Sequence, residues 1–186
     1  VRITANLSQV SSDSQIWSQS YDRKLSNVLD LQSEVAQAIA GEIRVKLTPQ
    51  QRARLAAPLP VNSEAYQNYL KGRYQLNRRD LASMQHGLDY FGRAVAADPN
   101  FALAYVGIAD TYDLLGFYGA LPPTNAYPEA KKAAQKALSL DDSLAEAYTT
   151  LADVQLHYDY DWKAAEQGFR SAIQRNPNYA VAHHWY

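Results

Sequence analysis

Alternating apolar and polar residues characterise the first 22 positions of the chain. The apolar positions of the first stretch are Val1, Ile3, Ala5 and Leu7. Turn-forming residues follow at 11–14, and a second stretch places Trp17 and Tyr21 on one face. Period-two alternation around a turn predicts an antiparallel β-hairpin, with Trp17 and Tyr21 packing on the helix that follows.

Apolar residues recur every three or four positions between about Val28 and Leu47, which predicts an amphipathic helix. A shorter helix is predicted to begin after Thr48, because threonine caps a helix and Pro49 suits its first position. These elements make up residues 1–55. The proline-containing stretch 56–63 is predicted to be a linker.

A junction recurs four times beyond the linker, with a turn residue five positions before an alanine and a ring-bearing residue. The junctions begin at Pro60, Pro99, Asp142 and Pro177, at intervals of 39, 43 and 35 residues. Small and bulky residues at matching offsets precede the last three junctions. The sequence therefore predicts repeats over 64–180: helix pairs at about 64–99, 100–142 and 143–177, with a further repeat beginning at 181–186.

The third unit carries the most regular pattern. Its small and bulky positions are Tyr148, Leu151, Ala152, Ala165, Phe169, Ala172 and Pro177. This pattern resembles the tetratricopeptide repeat, with one extra residue near the helix turn, while the first and second units carry longer insertions. In the second unit, Ala134 and Asp142 depart from the consensus. The resemblance implies a mainly α fold, an α-α superhelix preceded by the β-hairpin and helix remnant of an α/β domain.

The first 55 residues are similar to the end of the TolB-amino-terminal-like domain that precedes such repeats in bacterial signalling proteins. The matching stretches are VRIT, IWSQSYDR, LQSEVAQAI and LTPQQRARL. This resemblance implies a regulatory parent whose output module is a nucleotide cyclase, a winged-helix transcriptional regulator or a kinase. None of these modules is found in the 186 residues, and we expect the chain to be a fragment.

Composition narrows the classes of partner. A formal net charge of −1 provides no field that would attract nucleic acid or an anionic membrane. No apolar run approaches the roughly 18 residues of a membrane span. The absence of cysteine excludes disulfides and thiol chemistry but leaves the compartment open. We expect a cytoplasmic location, or a periplasmic one if the parent has a transmembrane helix before this region.

No catalytic or cofactor motif stands out. The chain contains no G-x-G-x-x-G, P-loop or G-x-S-x-G, and Asp161 is predicted to cap the helix from Trp162 rather than to act in catalysis. His183 and His184 are adjacent, so on a helix they would point about 100° apart and chelate a metal poorly. We therefore expect no enzyme activity, no catalytic residue, no cofactor and no metal site.

In tetratricopeptide arrays the first helix of each pair lines a concave groove, which implies a set of partner contacts. These are Gln67, Lys71, Val106, Asp110, Asp113, Thr149 and Asp153. They do not match the lysine and asparagine pattern of the carboxylate clamp that binds acidic chaperone tails. The three aspartates indicate a mildly acidic stretch that favours a basic or polar segment. The alternative is that these are ordinary solvated helix faces.

The insertion of the second unit, 116–128, is predicted to be a loop rich in proline and glycine. If exposed, Phe117, Tyr118 and Tyr127 would be interface anchors, and the alternative is that they fold back over the helix ends. The only basic cluster comprises Arg73, Arg78 and Arg79, which would bind an anion or form a solvated turn.

The function predicted from these features is a protein-interaction scaffold. The repeats would hold a protein or peptide partner, or another domain of the same protein, without contacting nucleic acid or a membrane. The alternative is a structural module for homo-oligomerisation or spacing with no specific peptide ligand.

Overall fold

The computed structural model describes residues 2–9, 14–22, 34, 35, 38, 39, 41 and 62–186. The chain divides into two compact units, Val1–Ser63 and Glu64–Tyr186, and each is described by itself.

The first unit contains the predicted hairpin. Strands β1 (Arg2–Gln9) and β2 (Ser14–Asp22) are antiparallel, and the register is irregular between Leu7 and Ser8. Exposed polar pairs join the strands, including a hydrogen bond of 2.6 Å from the Ser18 hydroxyl to Asn6 Oδ1. Tyr21 is buried and Trp17 is half-buried, and their packing on the following helix stays a prediction.

Most of the segment after the hairpin lies outside the described residues. Five of its residues are described, and all are helical: Glu34, Val35, Ala38, Ile39 and Gly41. The three apolar ones are half-buried and the other two are exposed, which is the pattern of an amphipathic helix. The helix predicted after Thr48 and nearly all of the linker predicted at 56–63 lie outside the described residues.

Seven α-helices follow from residue 63 onward. They are α1 (Ser63–Asn77), α2 (Leu81–Ala97), α3 (Ala102–Phe117), α4 (Pro123–Leu140), α5 (Ala145–Val154), α6 (Trp162–Arg175) and α7 (Ala180–Trp185). Helices α1–α2, α3–α4 and α5–α6 are the three predicted pairs, and α7 begins the predicted fourth. No described helix is long and apolar enough to cross a membrane.

Small residues at the predicted offsets make close packing of the helices possible. Ala134, Ala152 and Ala172 are almost wholly buried in successive layers of the core. Ala152, Ala165 and Phe169 belong to one cluster, in which α5 and α6 meet. A larger side chain at such a position would overlap its neighbours, because protein interiors are close-packed.

The prediction of a loop at 116–128 is wrong over most of its length. Helix α3 continues to Phe117 and α4 begins at Pro123, so only 118–122 connect them. Proline is well tolerated at the first helical position, where its missing N–H would have no helical partner. Tyr127 therefore lies on a helix, only 5% exposed, with its ring stacked on Tyr158 at 5.4 Å. It is a core residue and not a loop anchor.

The extra residue of the third repeat, 143–177, coincides with a widened helical turn. Helix α5 continues as a π-helical turn, Gln155–Asp159, and the chain then passes through a left-handed Tyr160 with φ 56°. A π-turn accommodates one more residue than an α-turn. Asp161 then accepts a hydrogen bond of 3.0 Å from the Ala164 N–H, which confirms the predicted cap of α6.

Candidate partner-binding groove

The first helices of successive pairs form one face of the second unit. Helix α3 contacts α5, and α5 contacts α7. Helix α1 joins the same face through an ion pair of 2.9 Å between Arg73 Nη1 and Asp110 Oδ2 of α3. Side chains that project from α1, α3, α5 and α7 on this face can therefore act on a common ligand.

A cavity of about 480 Å³ opens on this face, and we call it the groove cavity. Helix α3 contributes Asp113, Leu114 and Phe117, and the connection after it contributes Tyr118. The remaining lining residues are Arg79, Asp153, His157, Ala180, Val181, His184 and Trp185. Residues from the three helix pairs and from α7 thus line one space.

Asp110 is used within the protein rather than offered to a partner. It is buried, receives the Arg73 guanidinium on Oδ2, and accepts a hydrogen bond of 2.6 Å on Oδ1 from the Thr150 hydroxyl of α5. Burial raises the pKa of the Asp110 carboxyl, while the Arg73 charge and the Thr150 hydrogen bond oppose that rise. Asp110 therefore ties α1, α3 and α5 together.

Asp113 and Asp153 form a buried carboxyl pair on the wall of the groove cavity. They are 1% and 5% exposed, and their carboxyl groups are hydrogen-bonded to each other. Burial raises the pKa of Asp113 well above its usual range, and the adjacent Asp153 charge raises it further. Two carboxyl groups this close share one proton, because both cannot ionise at low cost.

His157 lies at the rim of this pair. Its Nδ1 is 3.1 Å from Asp153 Oδ2 and 3.2 Å from the Asp153 carbonyl oxygen. The π-helical turn carries this imidazole, which also meets the Phe117 ring edge-on at 5.7 Å. Asp153 therefore has a partner at the rim, whereas Asp113 has none of this kind.

The Asp113 carboxyl accepts no hydrogen bond from any described residue outside its pair with Asp153. Apart from the proton that the carboxyl pair shares, no N–H or O–H of the described residues reaches it, and its Oδ1 is fully buried without a hydrogen-bond partner. Buried polar atoms are normally hydrogen-bonded. Asp113 thus brings unused acceptor capacity to the groove cavity.

The structure divides the remaining predicted contacts into two groups. Val106 packs in the core with Ala137, and Thr149 is buried with its hydroxyl bonded to the Ala145 carbonyl at 2.9 Å. Neither is an exposed groove contact or a solvated face, because the neighbouring helices cover both positions. In the first helix pair, Gln67 is half-buried and Lys71 is exposed, so both remain accessible.

The apolar side chains at the end of α3 and in the connection that follows it differ in exposure. Phe117 and Tyr118 are 57% and 53% exposed, and their rings contact each other at 5.5 Å beside the groove cavity. Leu121 instead packs back against the core. Phe117 and Tyr118 thus meet the condition of exposure, and their role as interface anchors stays a prediction, whereas Leu121 folds back as the alternative predicted.

The three arginines do not form one basic patch. Arg73 pairs with Asp110, and Arg78 lies 3.4 Å from Asp80. Arg79 has a left-handed backbone, with φ 61°, and lines the groove cavity; its guanidinium forms no ion pair or hydrogen bond with the described residues. Sequence reasoning missed its position, because the turn that orients it is not visible in the residue pattern.

His157, His184 and Trp185 were also missed as lining residues. Only the spacing of four between Asp153 and His157, one helical turn, could have suggested that contact. Within the described residues, no group of three or more histidine and acidic side chains could hold a metal ion.

Two curated relatives share part of this sequence. "Putative adenylate cyclase 3" of Rhizobium meliloti is 28% identical over 154 residues, which are 82% of this chain and 26% of that protein. The transcriptional regulator HilA of Salmonella typhimurium is 30% identical over 93 residues, which are 50% of this chain and 17% of that protein. The chain thus spans only about a quarter, or less, of the length of these relatives. No protein-family model matches the chain.

Solved structures resemble the helical unit. The first tetratricopeptide domain of Spaghetti (RPAP3), bound to an HSP90 peptide SRMEEVD, superposes with a TM-score of 0.52 at 17% identity and covers 67% of this chain and 89% of that one. The Sgt2 tetratricopeptide domain from Aspergillus fumigatus gives a TM-score of 0.54 at 15% identity and covers 67% and 76% of the two chains. The helices of this chain therefore have the tetratricopeptide-repeat fold.

Proposed function

We propose that this chain is a non-enzymatic interaction module that binds a segment of a protein partner in its groove. The observation that carries the proposal is the groove cavity of about 480 Å³, which combines exposed aromatic rings with buried carboxyl groups. Convergent polar groups within an apolar concave surface are typical of binding sites. The RPAP3 tetratricopeptide domain, which has a similar fold, is bound to a peptide, and this supports the proposed role.

The partner would differ from the HSP90 peptide. That peptide, SRMEEVD, ends in acidic residues. The groove cavity presents Asp113 and Asp153, and Asp110 is occupied by Arg73. The carboxyl pair, which keeps one negative charge, favours a basic or polar segment over an acidic tail, although Arg79 lines the same cavity.

The parent protein is proposed to be a bacterial regulator. The names of the two relatives, an adenylate cyclase and a transcriptional regulator, support this context together with the resemblance of residues 1–55 to a domain of signalling proteins. In such a parent the partner would be a separate protein or another domain of the same chain. Binding to the helical unit would then regulate the output module of the parent. The cellular location and any membrane anchor would be properties of the whole parent protein.

Selection of unstructured peptides by the intact 186-residue chain tests the binding function. We expect an enriched motif whose synthetic peptide loses roughly tenfold or more in affinity when Phe117 and Tyr118 are both replaced by alanine. Tyr74→Ala is the matched control, because Tyr74 is 66% exposed on α1 and does not line the groove cavity. An equal loss in the control would contradict binding in the groove.

The structural alternative is self-association through exposed rings. Tyr160, in the turn before α6, and Trp162, the first residue of α6, are both largely exposed. If no peptide is enriched and sedimentation shows a concentration-dependent dimer that Trp162→Ala abolishes, the chain is a self-association module. A monomer with an enriched peptide supports the proposed function instead.

A further inference from the structure

We propose that the groove cavity receives the cationic side chain of a lysine or arginine from the bound segment, on the Asp113–Asp153 pair. The inference rests on the proposed function and specifies the chemistry of the ligand. It starts from a buried acceptor, Asp113 Oδ1, that receives no donor from any described residue outside the Asp113–Asp153 pair.

The unused acceptor is on Asp113. This residue is 1% exposed, lines the groove cavity, and has a fully buried Oδ1 without a hydrogen-bond partner in the described residues. A buried acceptor gains most from a donor that arrives already charged, because charge-assisted hydrogen bonds are the stronger ones. A ligand ammonium or guanidinium group would supply that donor.

The neighbouring charges leave this position open to a cation. Asp110 is neutralised by Arg73, and Asp153 has His157 at 3.1 Å. Arg79 also lines the cavity but forms no ion pair with Asp113. No positive group of the described residues therefore forms an ion pair with the Asp113 carboxyl, although Arg79 adds a positive charge to the same cavity.

Binding would change the protonation of the pair in a balanced way. In the free protein the two carboxyl groups share one proton, since burial and the adjacent charge favour the protonated form of Asp113. An incoming ammonium or guanidinium favours the ionised form, and the shared proton then passes to solvent. The titratable groups that act on Asp113 directly are Asp110, Asp153 and Tyr127. His157 contacts Asp153, and Arg79 and His184 line the same cavity.

Aromatic walls suit the same ligand. Phe117 and Tyr118 are exposed beside the cavity, and Trp185 lines it from α7. A cation near an aromatic face gains further stabilisation, and the stem of lysine or arginine packs on apolar surface. The aspartates would select the charged head, while these rings would hold the stem.

The test uses four acetylated, amidated heptapeptides that differ only at the central residue, which is arginine, lysine, norleucine or glutamate. Tyrosine, alanine and serine flank this residue in all four. Each peptide is titrated into the ¹⁵N-labelled 186-residue chain. We expect the arginine and lysine peptides to shift the amide signals of Asp113, Asp153 and His157, and to bind at least about tenfold more tightly than the norleucine peptide.

Asp113→Asn removes the group that would ionise on binding, with little change of shape, and should reduce the affinity of the two basic peptides to that of the norleucine peptide. Asp89→Asn is the matched control, because Asp89 is exposed on α2 and does not line the cavity. The melting midpoint shows whether each variant is folded. If Asp113→Asn does not fold, the order of the affinities of the four peptides for the unmodified chain tests the inference.

Equal binding of the arginine and norleucine peptides, or tightest binding of the glutamate peptide, would overturn the inference. If none of the four binds but a peptide from library selection binds at Phe117 and Tyr118, the cation site is wrong and the proposed function stands. If library selection also finds no peptide, both are wrong.

Discussion

The ring of Phe91, on α2, occupies the position that a side chain at Gly107 of α3 would need. Gly72 of α1 lies against the same ring, and a Cβ there would be 2.5 Å from Phe91 Cε1. Phe91 is fully buried. One aromatic ring therefore holds two consecutive first helices, and both must be glycine at the contact.

Gly107→Ala should destabilise the chain by about 1–3 kcal/mol, because the added methyl group overlaps the rigid Phe91 ring. Gly92→Ala on α2 is the control, since a Cβ there meets nothing within 4 Å. Because alanine favours helix, that control should be stabilised by about 0.5–1 kcal/mol. Urea unfolding followed by circular dichroism measures both, and stabilisation of both variants would contradict the packing described.

Overpacking of the α5–α6 and α6–α7 contacts should have a similar effect. Ala165→Leu or Ala172→Leu inserts a large side chain at a buried position and should cost about 1–3 kcal/mol. Gln167→Leu, at an exposed position of the same helix, should change stability by less than about 0.5 kcal/mol. An unchanged melting midpoint for both alanine variants would count against the assigned register.

Thr150→Val removes the hydroxyl that donates to Asp110 and should destabilise the chain by about 1–3 kcal/mol, because a buried carboxylate loses a donor. Thr124→Val, exposed at the start of α4, should have little effect. Combining Thr150→Val with Arg73→Met gives a double-mutant cycle. We expect the two effects to be non-additive, since both side chains bond the same carboxyl group. Additive effects would show that the two donors act independently.

The pH dependence of stability should report on Asp113. Its pKa in the folded chain is raised above the unfolded value of about 3.9, so between these two values the folded chain binds more protons than the unfolded chain. The stabilisation from this group is thus fully present below pH about 4 and is lost as the pH rises through the folded pKa. Asp153, whose pKa burial also raises, contributes in the same direction.

Asp113→Asn removes this titration. Relative to the variant, the unmodified chain should be at its most stable near pH 4 and lose that advantage towards neutral pH. Urea midpoints measured from pH 4 to pH 8 give the comparison, with Asp89→Asn as the exposed control. Parallel curves for the unmodified chain and Asp113→Asn would show that the pair does not titrate as described.

Much of the helical unit was predictable because its signals are local and periodic. The spacing of Ala152, Ala165, Phe169 and Ala172 identified which small and bulky residues pack between helices, and burial confirms that pattern. Asp161 was recognisable as a cap because a helix N-terminus leaves N–H groups that a side chain can accept locally. Such information resides in a few consecutive residues.

Proline and glycine content misled the prediction between α3 and α4. Residues 116–128 have the composition of a loop, yet the contacts of Tyr127 with Tyr158 favour helix from Pro123 onward. Tertiary packing overrides local propensity when it buries enough apolar surface. The sequence alone could not weigh those contacts.

The repeat, its helix pairs and the small residues that allow them to pack can be read from the residue pattern, because each depends on spacing along the chain. The pairing of Asp110 with Arg73, and the lack of a donor to Asp113 from described residues outside the carboxyl pair, become visible only in the folded chain. The same is true of Arg79 and Trp185, which meet at one cavity. Burial and charge pairing depend on residues far apart in sequence, so chemically identical aspartates acquire different roles only when the chain folds.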